Sequence, residues 1–171
     1  MRYFLDTEFA EKPNTIDLIS IAIVADDGRE FYAESADFNV ELANDFVRQN
    51  VLPALWSRQA DKAPPFNAWI RDGGTGGLMP TRRMGSAIAR FIGDDTPEFW
   101  GYYCDYDWVA TCWLFGAMVD LPPGWPMYCR DIKQLCDSKG NPKLPGTDSH
   151  EHHALHDARW NRTTLAWLEA S

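Results

Sequence analysis

The chain has 171 residues, of which 45% are hydrophobic and 13% aromatic, so its composition excludes an intrinsically disordered protein. Its formal net charge of −9 argues against a protein that coats nucleic acid through a basic face. We expect residues 1–171 to form a single domain, because domains usually contain about 100–150 residues.

The longest apolar stretch, residues 18–25, is too short to span a membrane, and the N-terminus lacks the pattern of a secretory signal. The cysteines at positions 104, 112, 129 and 136 form no C-x-x-C pair, which favours free thiols in a reducing compartment. We therefore predict a cytoplasmic protein with no membrane partner.

Three strands are predicted first, over residues 2–7, 16–25 and 29–34, because these segments are rich in β-branched and aromatic residues. Apolar spacing then predicts helices over residues 40–55, 84–93, 107–115, 131–137 and 151–168, with further strands over 98–102 and 127–129. An antiparallel meander followed by alternating strands and helices indicates an α/β fold, a mixed five-stranded sheet between two helical layers.

Residues 57–93 form a basic segment, with six arginines and lysines against two aspartates. The run Asp72-Gly73-Gly74-Thr75-Gly76-Gly77 predicts a flexible loop, because it lacks the Gly-Lys-Ser/Thr ending of a nucleotide-binding loop. The segment is either a solvated helix and loop or a surface that contacts phosphates, with Arg82 and Arg83 as the candidate contacts.

Two carboxylates, Asp6 and Glu8, end the first strand and would share one of its faces, because successive side chains of a strand alternate. Like charges this close repel each other unless a cation or a proton intervenes, and a hard divalent cation prefers oxygen ligands. The pair is therefore a candidate metal site. The alternative is a solvated strand end.

Further acidic residues and all four histidines lie near predicted helix starts. Asp107 follows a strand and could be a metal ligand or a helix N-cap, and Asp105 is its rival as ligand. Asp157 lies between small and apolar residues, where an unpaired charge is unusual. The histidines at positions 150, 152, 153 and 156 could also bind zinc with a cysteine, although no complete zinc spacing is present.

Three motifs resemble those of the DEDDh 3′-to-5′ exonucleases of the ribonuclease-H-like superfamily and follow the same order. They are Asp6-Thr7-Glu8, Tyr106-Asp107 and His152-x-Ala154-Leu155-x-Asp157-Ala158. The first strand, the Leu18-Ile19-Ser20-Ile21 strand and Asp107-x-Val109-Ala110 look like the small stand-alone exoribonucleases typified in mycobacteria. The resemblance implies a ribonuclease-H-like three-layer fold. It also implies that Asp6, Glu8, Asp107 and Asp157 bind two Mg²⁺ or Mn²⁺ ions and that His152 is the general base.

A protein of this family would release nucleoside 5′-monophosphates from an RNA 3′ end. A DNA exonuclease of the same superfamily and a non-catalytic nucleic-acid-binding module are the alternatives. Phe9 and Trp108, each next to a metal carboxylate, could stack on terminal bases or pack in the core. Many relatives are dimers, which leaves a homodimer open.

Helical geometry introduces one rival to His152. His153 lies four residues before Asp157 and would share its helical face, whereas His152 would lie about 140° away. His152 can still reach the site if it lies at a frayed helix start or on the preceding loop.

Overall fold

A computed structural model describes residues 1–59, 66–146 and 152–170, and its strands form one mixed six-stranded sheet in the order β4-β3-β2-β1-β5-β6. The strands β1, β2 and β3 form an antiparallel meander, whereas β4 pairs parallel with β3, β5 with β1, and β6 with β5. Their bounds are β1 Arg2–Lys12, β2 Thr15–Ala25, β3 Glu30–Ser35, β4 Thr75–Met79, β5 Glu98–Gly101 and β6 Arg130–Asp131.

Helices cover both faces of the sheet, because alternate residues of its long central strands are apolar on each face. The helices are α1 Phe66–Arg71, α2 Thr81–Ile92, α3 Asp105–Trp113, α4 Ile132–Ser138 and α5 Ala154–Ala170. On one face, Tyr3 and Leu5 of β1 pack with residues of α2 and α3. On the other face, Phe4 packs with residues of α1, α4 and α5. None of the helices in the described residues is long and apolar enough to cross a membrane.

The α/β class, the three layers and the meander were predicted correctly, and α2 to α5 lie within a few residues of their predicted positions. The predicted start of the last helix at Glu151 lies outside the described residues. The predicted strand at 127–129 is wrong by a small shift, because β6 is a two-residue pairing at Arg130–Asp131.

The segment 40–55 is not the regular helix that its apolar spacing predicts. It consists mainly of a 3₁₀ turn at Val40–Leu42, a π-helical turn at Val47–Val51 and a second 3₁₀ turn at Leu52–Ala54. Proline lacks the N–H that a regular helix requires, and Pro53 lies in that last turn. The segment nevertheless packs against the sheet, where Val47 and Val51 contact a cluster with Ala10 and Ile19.

The glycine-rich run predicted as a flexible loop contains the first three residues of β4, a strand that was not predicted. The predicted count of five strands was therefore wrong. The reason is steric. A Cβ built on Gly76 would lie 1.9 Å from the carbonyl oxygen of Tyr32 in β3, so only glycine permits this close pairing. Residues 60–65 of the predicted basic segment lie outside the described residues.

Replacing Gly76 by alanine should therefore destabilise the sheet more than replacing Gly77. Both glycines have positive φ, +129° and +123°, but a Cβ on Gly77 meets nothing within 4 Å. The shared backbone strain costs about 1–3 kcal/mol, and the clash at Gly76 should add about 1–3 kcal/mol of lost unfolding free energy. Urea denaturation of both variants measures the difference. Equal losses would contradict the close pairing of β3 and β4.

Candidate metal centre

The second half of β1 lies at an opening in the sheet. Strand β1 pairs with β5 only from Arg2 to Phe4, whereas its pairing with β2 continues to Lys12. The chain departs from β1 toward β2 on one side and returns to β5 on the other, so the carboxyl ends of β1 and β5 border a crevice. In open α/β sheets ligands bind in crevices at such switch points.

Three carboxylates converge at this crevice. The alternation of β1 places Asp6 and Glu8 on the face covered by α5, and Asp157 lies in the first turn of that helix. Carboxylate oxygens of these three residues lie within 4.8 Å of one another. Of all the histidine, cysteine, aspartate and glutamate side chains in the described residues, no other three or more come together in this way. The zinc alternative therefore finds no support among the described histidines, and His150 lies outside the described residues.

A fourth carboxylate, Asp107, approaches from the opposite face. Its Oδ1 atom accepts hydrogen bonds from the backbone N–H and the hydroxyl of Thr7, at 3.0 and 2.5 Å. Asp107 is buried on α3, whereas Asp105, its rival in the sequence, is exposed. The structure therefore brings Asp107, and not Asp105, to the strand that carries Asp6 and Glu8.

Burial and mutual repulsion disturb the ionisation of these acids. Desolvation, together with the charges of Asp107, Glu8 and Asp157, raises the pKa of Asp6 well above its ordinary value. Desolvation and the charges of Asp157 and Asp107 raise the pKa of Glu8 to about 8. Desolvation also raises the pKa of Asp107 to about 6, against the lowering effect of its bonds from Thr7. A divalent cation would relieve this repulsion, so the donor set fits a hard metal ion.

Two hydrogen bonds position Asp157 and α5 over β1. The backbone N–H of His152 donates to Asp157 Oδ2 at 3.1 Å. One turn later the amide of the buried Asn161 donates to the carbonyl oxygen of Leu5 at 3.0 Å, which occupies the β1 edge that β5 leaves free. Sequence patterns did not predict a role for Asn161, although an asparagine on the apolar face of the last helix, four residues after a candidate ligand, was the available signal.

The two rival histidines have different surroundings. The ring of His153 is buried and stacked on that of Tyr32, with 4.7 Å between ring centroids, and it also contacts Trp56. His152 precedes the helix in a left-handed conformation with φ of 68° and is partly exposed. Residues other than glycine rarely adopt this conformation, and such strain is found at functional sites. His152 thus lies before the helix, on the preceding segment where its assignment as general base requires it.

A groove of about 240 Å³ runs beside Glu8 between β1 and the segment 40–55. Phe46 and Phe9 line it, and the ring centroid of Phe46 lies 4.9 Å from that of His152. Phe46 is 52% exposed, although its spacing in the sequence had placed it with the apolar face of a helix. The π-helical turn that follows Phe46 is a geometry frequent at functional sites, and no pattern in the sequence indicates it.

The other candidate substrate-binding residues, Phe9, Trp108, Arg82 and Arg83, lie in different parts of the structure. Phe9 lines the groove and its ring meets the edge of Tyr106. Trp108 is 7% exposed and packs on Phe99 in the core, which favours core packing over base stacking, the two alternatives for this residue. Arg82 and Arg83 are exposed in the first turn of α2, which packs on β3 and β4 as well as on β1.

The whole chain is similar to known exoribonucleases. The model of the "3′-5′ exoribonuclease Rv2179c-like domain" family matches residues 1–168. The chain is 42% identical over 159 residues to the 3′-5′ exoribonuclease Rv2179c of Mycobacterium tuberculosis strain H37Rv. The aligned region covers 93% of this chain and 88% of that protein. The 3′-5′ exoribonuclease MT2234.1 of M. tuberculosis strain CDC 1551 matches with the same identity and coverage.

The chain belongs to the Rv2179c-like exoribonuclease family. Its fold is also that of S. pombe Pop2p, solved in an Mg²⁺- and Mn²⁺-bound form, with a TM-score of 0.61 over 99% of this chain and 82% of that one. The sequences are only 12% identical, so this likeness concerns the fold. It confirms the predicted ribonuclease-H-like architecture.

The raised pKa of Glu8 predicts how the stability of this Rv2179c-like domain depends on pH. In the unfolded chain Glu8 loses its proton near pH 4.5, but in the folded protein only near pH 8. The folded state therefore binds more protons between these values, and the free energy of unfolding should fall as the pH rises through that window. Adding Mg²⁺ should reduce the fall.

Thermal unfolding in EDTA between pH 5 and pH 8 measures this dependence for the wild type and two variants. Glu8→Gln removes the titrating group and should give a shallower fall, while the remaining slope comes from Asp6 and Asp107. Glu11→Gln, an exposed position on the same strand, is the matched control and should follow the wild type. Identical slopes for all three proteins would show that Glu8 is not protonated in the folded state.

Proposed function

We propose that the chain is a metal-dependent 3′-to-5′ exoribonuclease that hydrolyses the terminal phosphodiester and releases nucleoside 5′-monophosphates, with residues 1–171 acting as one exonuclease domain. The observation that carries the proposal is the convergence of Asp6, Glu8 and Asp157 within 4.8 Å beside an open groove. The 42% identity to a protein named a 3′-5′ exoribonuclease supports RNA as the substrate.

Two Mg²⁺ or Mn²⁺ ions are the proposed cofactors. Asp6, Glu8, Asp107 and Asp157 would hold them, because carboxylates are the ligands that these hard cations prefer. When bound, such a pair of ions stabilises the charge that develops on the attacking and leaving oxygens. The raised pKa values of Asp6 and Glu8 support this assignment, since a non-catalytic binding module would carry their repulsion without any use for it.

His152 is the proposed general base. An imidazole nitrogen can accept the proton of the attacking water near neutral pH. The contact of the His152 ring with Phe46, which lines the groove, supports this role, as does the hydrogen bond from the His152 backbone N–H to Asp157. One short segment therefore presents the base and orients a metal ligand.

The groove beside Glu8 is the proposed place for the 3′-terminal nucleotide. Phe46 and Phe9 would stack on the bases at the 3′ end. Such stacking binds single strands without sequence readout and without a basic surface. Arg82 and Arg83 are proposed to contact RNA phosphates farther from the 3′ end.

Three further expectations concern the protein in the cell. All four cysteines are free thiols, which suits a reducing compartment, and we propose the cytoplasm. No membrane partner is proposed. A homodimer is proposed on the resemblance to dimeric relatives alone.

Digestion of labelled oligonucleotides in Mg²⁺ or Mn²⁺ tests the reaction. With 5′-labelled RNA we expect products that shorten progressively from the 3′ end, and with 3′-labelled RNA immediate release of a labelled mononucleotide. Asp6→Asn should lower the rate at least about 100-fold, because metal ions supply several kcal/mol of transition-state stabilisation.

Two controls make the digestion specific. Asp105→Asn removes an exposed acid near the centre and should retain wild-type activity. A DNA oligonucleotide of the same sequence should be a poorer substrate than the RNA. Equal or faster digestion of DNA would favour the DNA exonuclease, and full activity of Asp6→Asn would refute the metal centre.

The choice of general base is tested by a pair of histidine variants. His152→Ala should lower kcat by about 10²–10⁴-fold, the usual contribution of a general base. His153→Phe keeps an aromatic ring against Tyr32 and should keep kcat within a few fold, with some loss of thermal stability. Steady-state kinetics on single-stranded RNA gives both values. A large loss of kcat in His153→Phe together with an active His152→Ala would transfer the role to His153.

A further inference from the structure

Thr7 lies between two candidate ligands in the sequence but faces the other side of the sheet. Alternation along β1 points its side chain away from Asp6 and Glu8, toward α3, and only 5% of the residue is exposed. There its hydroxyl and its backbone N–H both donate to Oδ1 of Asp107. Thr7 and Asp107 are 100 positions apart in the chain, so these bonds hold α3 against β1.

The backbone donor of Thr7 is available because of the sheet topology. Pairing of β1 with β5 ends at Phe4, so the N–H of Thr7 has no strand partner on that edge and bonds to the carboxylate instead. Asp107 is also held from its own helix, where the hydroxyl of Thr111 donates to the Asp107 carbonyl oxygen at 2.7 Å. The side chain and the backbone of Asp107 are therefore each fixed.

Two donors on one oxygen restrict how a carboxylate can turn. With Oδ1 of Asp107 held by Thr7, rotation of the carboxylate would break both bonds, so Oδ2 keeps one direction.

We propose that Thr7 is a positioning residue of the nuclease, which holds Asp107 oriented and leaves its second oxygen for the metal centre. The three residues Asp6, Thr7 and Glu8 then contribute two ligands on one face and, through Thr7, the orientation of a third from the other face. This inference rests on the proposed function, because it takes Asp107 as a metal ligand.

Two substitutions at Thr7 separate the hydroxyl from the shape of the side chain. Thr7→Val is nearly isosteric and keeps a β-branched residue suited to a strand, but it lacks the hydroxyl. Thr7→Ser keeps the hydroxyl and lacks only the methyl group. The backbone bond to Asp107 remains in both variants.

The readouts are the Mn²⁺ affinity of the protein without RNA, by calorimetry, and the Mn²⁺ concentration that gives half-maximal activity. We expect Thr7→Val to weaken both by about 10–100-fold, the usual loss when the partner of a metal ligand is removed. Thr7→Ser should stay within about threefold of the wild type. A merely structural role would instead lower the thermal midpoint without changing either metal requirement.

Asp107→Asn, measured in parallel, separates this inference from the proposed function. If Asp107→Asn is inactive while Thr7→Val has the wild-type affinity for Mn²⁺, the role of Thr7 is refuted and the metal centre stands. If Asp107→Asn is fully active, Asp107 is not a ligand and both assignments fail. Far-UV circular dichroism of Thr7→Val, compared with Thr7→Ser, shows that a loss of affinity is not a loss of folding.

Discussion

The site depends on the free edge of β1 beyond Phe4. A buried strand edge must satisfy its N–H and carbonyl groups, and here a helix side chain replaces the missing strand at each of two positions. Asn161 of α5 donates to the carbonyl of Leu5, and Asp107 of α3 accepts from the N–H of Thr7. Both helices thereby gain a fixed register on β1, and both carry a candidate metal ligand.

Electrostatics opposes this assembly, and local contacts offset part of the cost. Carboxylates that are desolvated by burial and repel each other destabilise the metal-free protein, as the raised pKa values of Asp6 and Glu8 indicate. Three local interactions offset part of this destabilisation. They are the hydrogen bonds from Thr7 to Asp107, the bond from the His152 backbone N–H to Asp157 and the positive end of the α5 dipole. The proposed metal binding gives this concentration of acids a use, because a bound cation would offset the repulsion between them.

Sequence patterns predicted the parts of this molecule that depend on periodicity. Alternation in β1 placed Asp6 and Glu8 on one face, and the apolar spacing of α5 gave its buried side, including Leu155, Leu165 and Leu168. What escaped prediction depends on contacts distant in sequence. The strand β4 forms because Gly76 admits the carbonyl of Tyr32, and the exposure of Phe46 follows from an irregular turn that no local pattern encodes.

A β-bulge separates the two functions of β1. Glu8 pairs with Ser20 but Phe9 pairs with Leu18, so Ile19 has no partner on β1 and packs instead with Ala10 and the segment 40–55. Before this irregularity the strand carries the acids, and after it the strand supports the groove wall. A substitution in the groove wall can therefore alter which substrate fits without moving Asp6 relative to Glu8.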